Sequence, residues 1–263
     1  MKRLLLLLAL VPTSALAAPE PLTQCGQTVT DAVLTADLDC SGADGPAILL
    51  AGKANLDLAG FTLTGSTAGA VRCEKRCNVV GGGSIVAPVG LDTDVEFAAA
   101  VGPGDSGRSR VSVSGINVTG YRVAVGGKRV DVSDVAITSS WTGLSAGKKV
   151  TATNSTISAC DMAVNASRVT LTDVTIVNSG RGAVNGDRVV LSGTSISQSG
   201  GLGLSAQRLT ASNSTVIDNC LLPTPYSCVD IFAGPARPKL TDTVCGTSLK
   251  DTATESWGIC TTD

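Results

Sequence analysis

A positively charged residue recurs at nearly constant spacing through the middle of the chain. Each copy precedes a short alternating apolar segment, as in Arg168-Val-Thr-Leu and Arg188-Val-Val-Leu, and successive copies are 19 or 20 residues apart. An arginine guanidinium binds carboxylate or sulfate through paired N–H···O bonds, and a lysine adds a point charge. The spacing therefore predicts a surface that binds a polyanion. The predicted binding residues are Arg110, Arg129, Lys149, Arg168, Arg188 and Arg208.

This positive surface would be local, because the 20 basic residues are outnumbered by 22 acidic ones. Stacked like charges repel, and a bound polyanion would turn that repulsion into attraction. The alternative hypothesis is that no ligand binds. The aliphatic parts of the Arg and Lys side chains would then cover an edge of the fold and discourage aggregation, and Asp131 and Asp187 would neutralise part of the charge. Further cations at or near the same position are Lys53, Lys75, Arg76, Arg108, Lys128, Lys148 and Arg237.

Three acidic residues alternate in the longest interruption of the repeat. Asp92, Asp94 and Glu96 would lie on one side of an extended chain. Carboxylate oxygens on an irregular loop are suitable ligands for Ca²⁺. We expect a solvated acidic loop and no cofactor, and the alternative is a calcium site formed by these three residues.

The nine cysteines are typical of an exported protein. Their local spacing favours four disulfides and leaves Cys160 as a free thiol, although spacing does not establish connectivity. The predicted bridges are Cys25–Cys40, Cys73–Cys77, Cys220–Cys228 and Cys245–Cys260. Zinc is the alternative, but the chain lacks histidine and has no CxxC pair.

The N-terminus has the pattern of a secretory signal peptide over residues 1–17. Lys2 and Arg3 precede the apolar run Leu4–Val11, and Ala15-Leu16-Ala17 is an A-x-A cleavage site. The apolar run is too short to span a bilayer, so we expect no transmembrane segment. The mature chain would be secreted, periplasmic or on the cell surface, with a net charge of −4 from 18 basic and 22 acidic residues.

A repeat of about twenty residues must position the cations. In the copy at Arg168, Val169 and Leu171 alternate with polar residues, Asp173 interrupts, and Ile176 follows. Alternation predicts a half-buried strand, and Asp, Asn or Gly tolerates the left-handed backbone of a bend. A further strand precedes each copy, as in Ala163-Val164-Asn165-Ala166. Three short strands and three bends per repeat predict an all-β solenoid of about nine turns, rather than helical repeats.

Two segments resemble members of the right-handed parallel β-helix superfamily, which includes pectate lyases and polygalacturonases. The segment LDLAGFTLTG at residues 56–65 is similar to the opening turn LDLNGHTLTG of secreted bacterial members. The segments Val244–Ser248 and Ser256–Cys260 resemble the closing part of uncharacterised bacterial members. The resemblance covers residues 25–260 and implies a single right-handed parallel β-helix.

The predicted organisation places the solenoid between two disulfide-stapled caps. After the signal peptide we expect an N-terminal cap at residues 18–46, the β-helix at residues 47–244 and a C-terminal cap at residues 245–263. Caps are needed because an open solenoid exposes strand edges that can pair with other chains.

The resemblance implies a ligand groove along the first strand of each turn. The positions that we expect to face outward there are small: Ala124, Gly126, Gly143, Ser145, Ala163, Asn165, Ala183, Asn185, Gly203 and Ser205. Polygalacturonases need clustered aspartates and a histidine, which argues against hydrolysis here. Lyases of this fold combine calcium with an Arg or Lys base, and Arg108 and Lys128 are the candidate catalytic bases.

We therefore expect non-catalytic binding of an acidic polysaccharide, or an envelope or matrix role that depends on it. The alternatives are a polysaccharide lyase acting on a uronate polymer and a purely structural surface protein. Nucleic acid is not an expected partner, because Tyr121, Trp141 and Tyr226 do not form a stacking series. The sequence does not specify an oligomeric state.

Overall fold

The chain forms an all-β parallel solenoid of about ten turns, which confirms the predicted β-helix. This computed structural model describes residues 18–91, 98–103, 109–219, 229–250 and 255–261, and these contain no α-helix. Within the described ranges there is accordingly no helix long and apolar enough to cross a membrane. The predicted signal peptide lies outside the described residues.

The strands form two parallel sheets that run the length of the solenoid. The larger sheet contains β1 (Glu20–Leu22), β2 (Gln27–Leu34), β4 (Ile48–Asp57), β6 (Val71–Cys73), β7 (Arg76–Val80), β9 (Ala99–Pro103), β10 (Arg110–Ser114), β12 (Val123–Ser133), β14 (Thr142–Thr153), β16 (Met162–Thr172), β18 (Gly182–Ser192), β20 (Leu202–Ser212), β22 (Ile231–Ala233), β23 (Lys239–Thr241) and β25 (Ser248–Lys250). The smaller sheet contains β3 (Leu38–Asp39), β5 (Thr62–Thr64), β8 (Ser84–Val86), β11 (Asn117–Thr119), β13 (Ala136–Thr138), β15 (Thr156–Ser158), β17 (Thr175–Val177), β19 (Ser195–Ser197), β21 (Thr215–Ile217) and β24 (Val244–Cys245).

The predicted bend residues adopt the left-handed backbone that the repeat requires. Asp134, Asn154, Asp173 and Asn213 have φ between 47° and 56°, each just before a short strand of the smaller sheet. A second left-handed corner follows each of these short strands. Its residues are mixed: Asn178 and Asp218 are of the predicted bend types, whereas Ser139 and Ala159, with φ of 52° and 51°, are not.

In the turns that contain β12, β14, β16, β18 and β20, the first two predicted strands are joined into one long strand, which differs from the expected three short strands. In other turns they stay separate, as β6 and β7 or β9 and β10 do. Along β16, burial alternates from Val164 to Ala166, is interrupted by exposed Ser167 and Arg168, and resumes at buried Val169. The pairing register shifts between Gly127 and Arg129 because β14 has one more residue than β12 at this corner. The pairs of β16 with β18 and of β18 with β20 pass through the corner without a shift.

The interior is a set of aliphatic ladders, with like residues stacked in register. Ile137, Ile157, Ile176, Ile196 and Val216 pair on successive turns and are at most 1% exposed. Stacking is what allows each narrow turn to remove its aliphatic side chains from water.

Several positions predicted to face outward on the first strand are instead buried. Ala124, Ala163 and Ala183 are fully buried. A Cβ on Gly143 would lie 2.9 Å from Cγ2 of buried Ile157. The chain enters this strand directly from a corner, so two successive residues face the interior, which simple alternation does not predict. The exposed surface of the strand is therefore limited to the positions of Asn165 and Asn185.

The disulfides Cys25–Cys40, Cys73–Cys77 and Cys245–Cys260 are present as predicted. Cys160 is a buried free thiol, also as predicted. Cys220 and Cys228 lie outside the described residues. Strands β1 to β3, within the predicted N-terminal cap, pair in parallel and contribute to the turn beyond the nine expected.

Candidate functional site

Strand pairing places eight cations in one continuous line along the solenoid, which we call the basic column. The backbone of each member pairs with that of the next, and neighbouring strands in such a ladder are about 4.8 Å apart. Lys149 is partly exposed and the other seven are exposed. The basic column consists of Lys53, Arg76, Arg110, Arg129, Lys149, Arg168, Arg188 and Arg208.

The column lies at the corner within each long strand. In β18, Arg188 follows exposed Asp187 and precedes buried Val189, so the aliphatic residue anchors the corner while the cation projects outward. All six predicted polyanion-binding residues are brought together by this arrangement. The members of the basic column are regularly spaced because their strands pair in parallel.

Lys53 and Arg76 are column members that the sequence alignment placed only nearby. Lys53 pairs with Arg76, and Arg76 pairs with Arg110, so the column continues two turns further towards the N-terminus. The weaker repeats there were aligned without their leading cations. The signal that identifies them is the buried alternation after each one, at Ala54 and Leu56 and at Cys77 and Val79.

Most of the column is not neutralised by acidic side chains. Arg110 is paired with Asp131, whose Oδ2 lies 3.2 Å from both Nε and Nη2 of the guanidinium. Within the described part of the chain, no other member has a carboxylate within 4.0 Å. Two unit charges 5 Å apart in water repel by about 0.8 kcal/mol, and salt reduces this further.

Two recesses flank the column and differ in charge. The N-terminal recess, of about 390 Å³, is lined by seven cations and a serine: Lys53, Lys75, Arg76, Ser109, Arg110, Lys128, Arg129 and Lys148. The C-terminal recess, of about 650 Å³, is lined by Ser167, Arg168, Asp187, Arg188, Gln207, Arg208, Pro235 and Ala236. It has three cations and one acid, so the positive charge is concentrated towards the N-terminal end.

A line of neutral polar residues, the polar strip, runs parallel to the column. It consists of Ser145, Asn165, Asn185 and Ser205, which pair in register on four successive turns. Nδ2 of Asn185 donates a hydrogen bond to Oδ1 of Asn165 at 3.1 Å. Both asparagines are exposed and line a small recess with Ser167 and Gln207. Amides and hydroxyls of this kind can donate to and accept from neutral hydroxyl groups.

Of the remaining predicted site residues, only Lys128 lies within the described structure. Lys128 lines the N-terminal recess. Arg108 and the calcium candidates Asp92, Asp94 and Glu96 lie outside the described residues. Across the described ranges, no three His, Cys, Asp or Glu side chains are grouped so that they could hold a metal ion.

An aromatic cluster lies away from the column and was not found from the sequence. The guanidinium carbon of Arg181 is 4.7 Å from the ring centre of Trp141, and that of Arg122 is 5.8 Å away. Arg181 also pairs with Asp161 at 3.1 Å. Tyr121, in contrast, is fully buried, and burial raises the pKa of its hydroxyl.

Comparison of the chain with protein-family models, with curated proteins and with solved structures finds no match. Because one fold can carry many unrelated functions, the chemistry of the site is what indicates a function here.

Proposed function

We propose that this protein is an exported, non-catalytic binder of acidic polysaccharides, which holds its ligand along the basic column. One observation carries the proposal: eight cations lie in register on successive paired strands, and most of them have no acidic partner within the described structure. A chain of carboxylate or sulfate groups lying along this edge would satisfy the guanidinium and ammonium donors and relieve their mutual repulsion.

The polar strip supports a glycan rather than another linear polyanion. The strip follows the same four turns as Lys149, Arg168, Arg188 and Arg208, three or four residues earlier in each long strand. A sugar polymer with one acidic group per ring would offer anions to the column and neutral hydroxyls to the strip. The surface is open and elongated, which also suits a polymer better than a small molecule.

A binding role is supported by the residue types at the site. The described surface offers cations, amides and hydroxyls, and its acids include Asp131, which pairs with Arg110, Asp187, and Glu74, which accepts from the Gly52 N–H. The lyase alternative depends on Arg108 and the acidic stretch, which lie outside the described residues, and on Lys128. Measuring product formation alongside binding separates these two functions.

The disulfides support an oxidising compartment for the protein. We propose that residues 1–17 direct export and that the mature protein acts in the envelope or in an extracellular matrix. A purely structural surface role is the remaining alternative, and it requires no ligand on the column.

The test uses mature protein, residues 18–263, applied to immobilised uronate polymers at increasing salt. We expect retention at low salt that falls steeply as salt rises, and a large loss of retention in Arg168→Gln/Arg188→Gln. The matched control Arg181→Gln/Lys250→Gln removes two charges away from the column and should retain binding. Ultraviolet absorbance is monitored for unsaturated products.

Unchanged retention in the column variant would overturn the proposal and favour the structural role. Release of unsaturated oligosaccharides, dependent on Lys128 and on added calcium, would replace it with the lyase function. A neutral glycan should bind poorly to every variant, because it offers nothing to the column.

A further inference from the structure

We propose that the N-terminal recess is a pocket for a tetrahedral oxyanion, the sulfate or phosphate ester group of an acidic polysaccharide. The inference rests on the proposed function and specifies its ligand. It is carried by Ser109, a buried serine within a row of lysines.

Ser109 occupies the same position as two lysines on the adjacent turns. The backbone N–H of Arg110 donates to the carbonyl of Lys75 at 2.8 Å, and that of Lys128 donates to the carbonyl of Ser109 at 2.9 Å. Lys75, Ser109 and Lys128 therefore form a second row beside the basic column. Ser109 thus interrupts a row of lysines, and all three residues line the N-terminal recess.

The hydroxyl of Ser109 is the only polar group of the recess that is both fully buried and unpartnered among the described residues. Its equivalents Lys75 and Lys128 are exposed, so this row projects away from the aliphatic interior. Buried hydroxyl groups in folded proteins nearly always have a hydrogen-bond partner. An anion held in the recess would supply that partner by accepting the hydroxyl proton.

The charge around Ser109 suits a group with several anionic oxygens. Seven cations line the recess, and Arg110 is the one among them that the described structure shows in an ion pair. A sulfate or phosphate ester has three terminal oxygens that can each accept charge-assisted hydrogen bonds, whereas a carboxylate has two.

The C-terminal recess provides an internal comparison. Its residues at the position of Ser109 are Ser167, Asp187 and Gln207, so the second row carries no cation there. The C-terminal recess has one cation per turn, with Asp187 nearby, and this arrangement suits a ligand that offers single carboxylate groups. The two ends of the column therefore differ in the anion that they favour.

The experiment compares one uronate glycan with and without sulfate esters, and measures inorganic sulfate and phosphate binding by calorimetry. The variants are Ser109→Ala and Lys128→Gln, and the matched control is Ser179→Ala, which removes another buried, unpartnered hydroxyl outside the recess. We expect the sulfated glycan to stay bound at higher salt. Ser109→Ala should weaken binding of the inorganic anion about tenfold, as for loss of a hydrogen bond to a charged group. Lys128→Gln should also weaken it, while Ser179→Ala should match the wild type.

Equal retention of both glycans, with no effect of Ser109→Ala or Lys128→Gln, would overturn the oxyanion pocket and leave the proposed function intact. If neither glycan binds, the proposed function fails, and binding of inorganic sulfate or phosphate then tests the oxyanion pocket on its own. Saturable binding of either anion that Ser109→Ala weakens would still support the pocket. No such binding would overturn it. A preference between inorganic sulfate and phosphate identifies the ester.

Discussion

Arg110 donates through both Nε and Nη2 to a single carboxylate oxygen of Asp131, which lies on the neighbouring long strand two residues beyond Arg129. The backbone partner of Arg110 is Arg129, so this contact is diagonal across the ladder. The carboxylate occupies donors of Arg110 that a ligand would otherwise use.

Asp131→Asn should therefore strengthen binding of a uronate polymer. Removing the competing carboxylate frees the Arg110 guanidinium and adds one net positive charge at the column, so we expect affinity to rise about threefold at low salt. The free energy of unfolding should change by less than about 1 kcal/mol, because the pair is substantially exposed. Calorimetric titration and urea unfolding measure the two quantities, and a fall in affinity would contradict the role assigned to Arg110.

Asp230 is predicted to be essential to the stability of the C-terminal end. Its Oδ1 accepts from the backbone and side-chain amides of Asn219 at 3.0 and 2.8 Å, and its Oδ2 accepts from the Thr247 N–H at 2.9 Å. Asp230→Ala removes the acceptor of the backbone N–H groups of Asn219 and Thr247 and should cost about 3 kcal/mol in urea unfolding. Asp230→Asn keeps one acceptor and should cost less, so equal losses in the two variants would argue against this explanation.

Gly65 should not tolerate a side chain while Tyr121 is present. A Cβ at Gly65 would overlap the Tyr121 hydroxyl and lie 2.7 Å from Cβ of Ala70. We expect Gly65→Ala to destabilise the protein by about 2 kcal/mol, as overpacking does. Tyr121→Phe removes the hydroxyl, together with its hydrogen bond to the Val86 carbonyl, so Gly65→Ala should cost less in the Tyr121→Phe background than in the wild type when measured by thermal unfolding. An equal cost in both backgrounds would show that the contact with Ala70 dominates.

Burial should protect the thiol of Cys160 from alkylation. Burial raises its pKa from 9.0 to about 11, so the folded chain keeps a proton that the unfolded chain loses at lower pH. The thiol should react slowly with iodoacetamide at pH 9 in the folded protein and rapidly in urea. The same shift should lower the free energy of unfolding as pH rises from about 9 towards 11. The difference between wild type and Cys160→Ala isolates this contribution, and a constant difference would contradict it.

The local pattern of residues was enough to predict the fold. Alternation at Val169 and Leu171, an interruption at Asp173 and a return at Ile176 are short-range signals, and a twenty-residue period permits the turns to stack. Local spacing also predicted three of the bridges found, since cysteines such as Cys25 and Cys40 lie close in sequence. The predicted bend between the first two strands is present, but pairing continues through it, so that β16 is one strand from Met162 to Thr172.

The sequence by itself determined that cations recur with the period of the repeat, and this was sufficient to name Arg168 and Arg188 as members of one surface. Only the tertiary structure decided that Lys53 and Arg76 continue the column and that Ser109 lies between Lys75 and Lys128. These residues belong to turns of unequal length, in which sequence spacing no longer gives the register. Register there is fixed by which backbone groups pair across neighbouring strands, a long-range property that a count of residues along the chain does not contain.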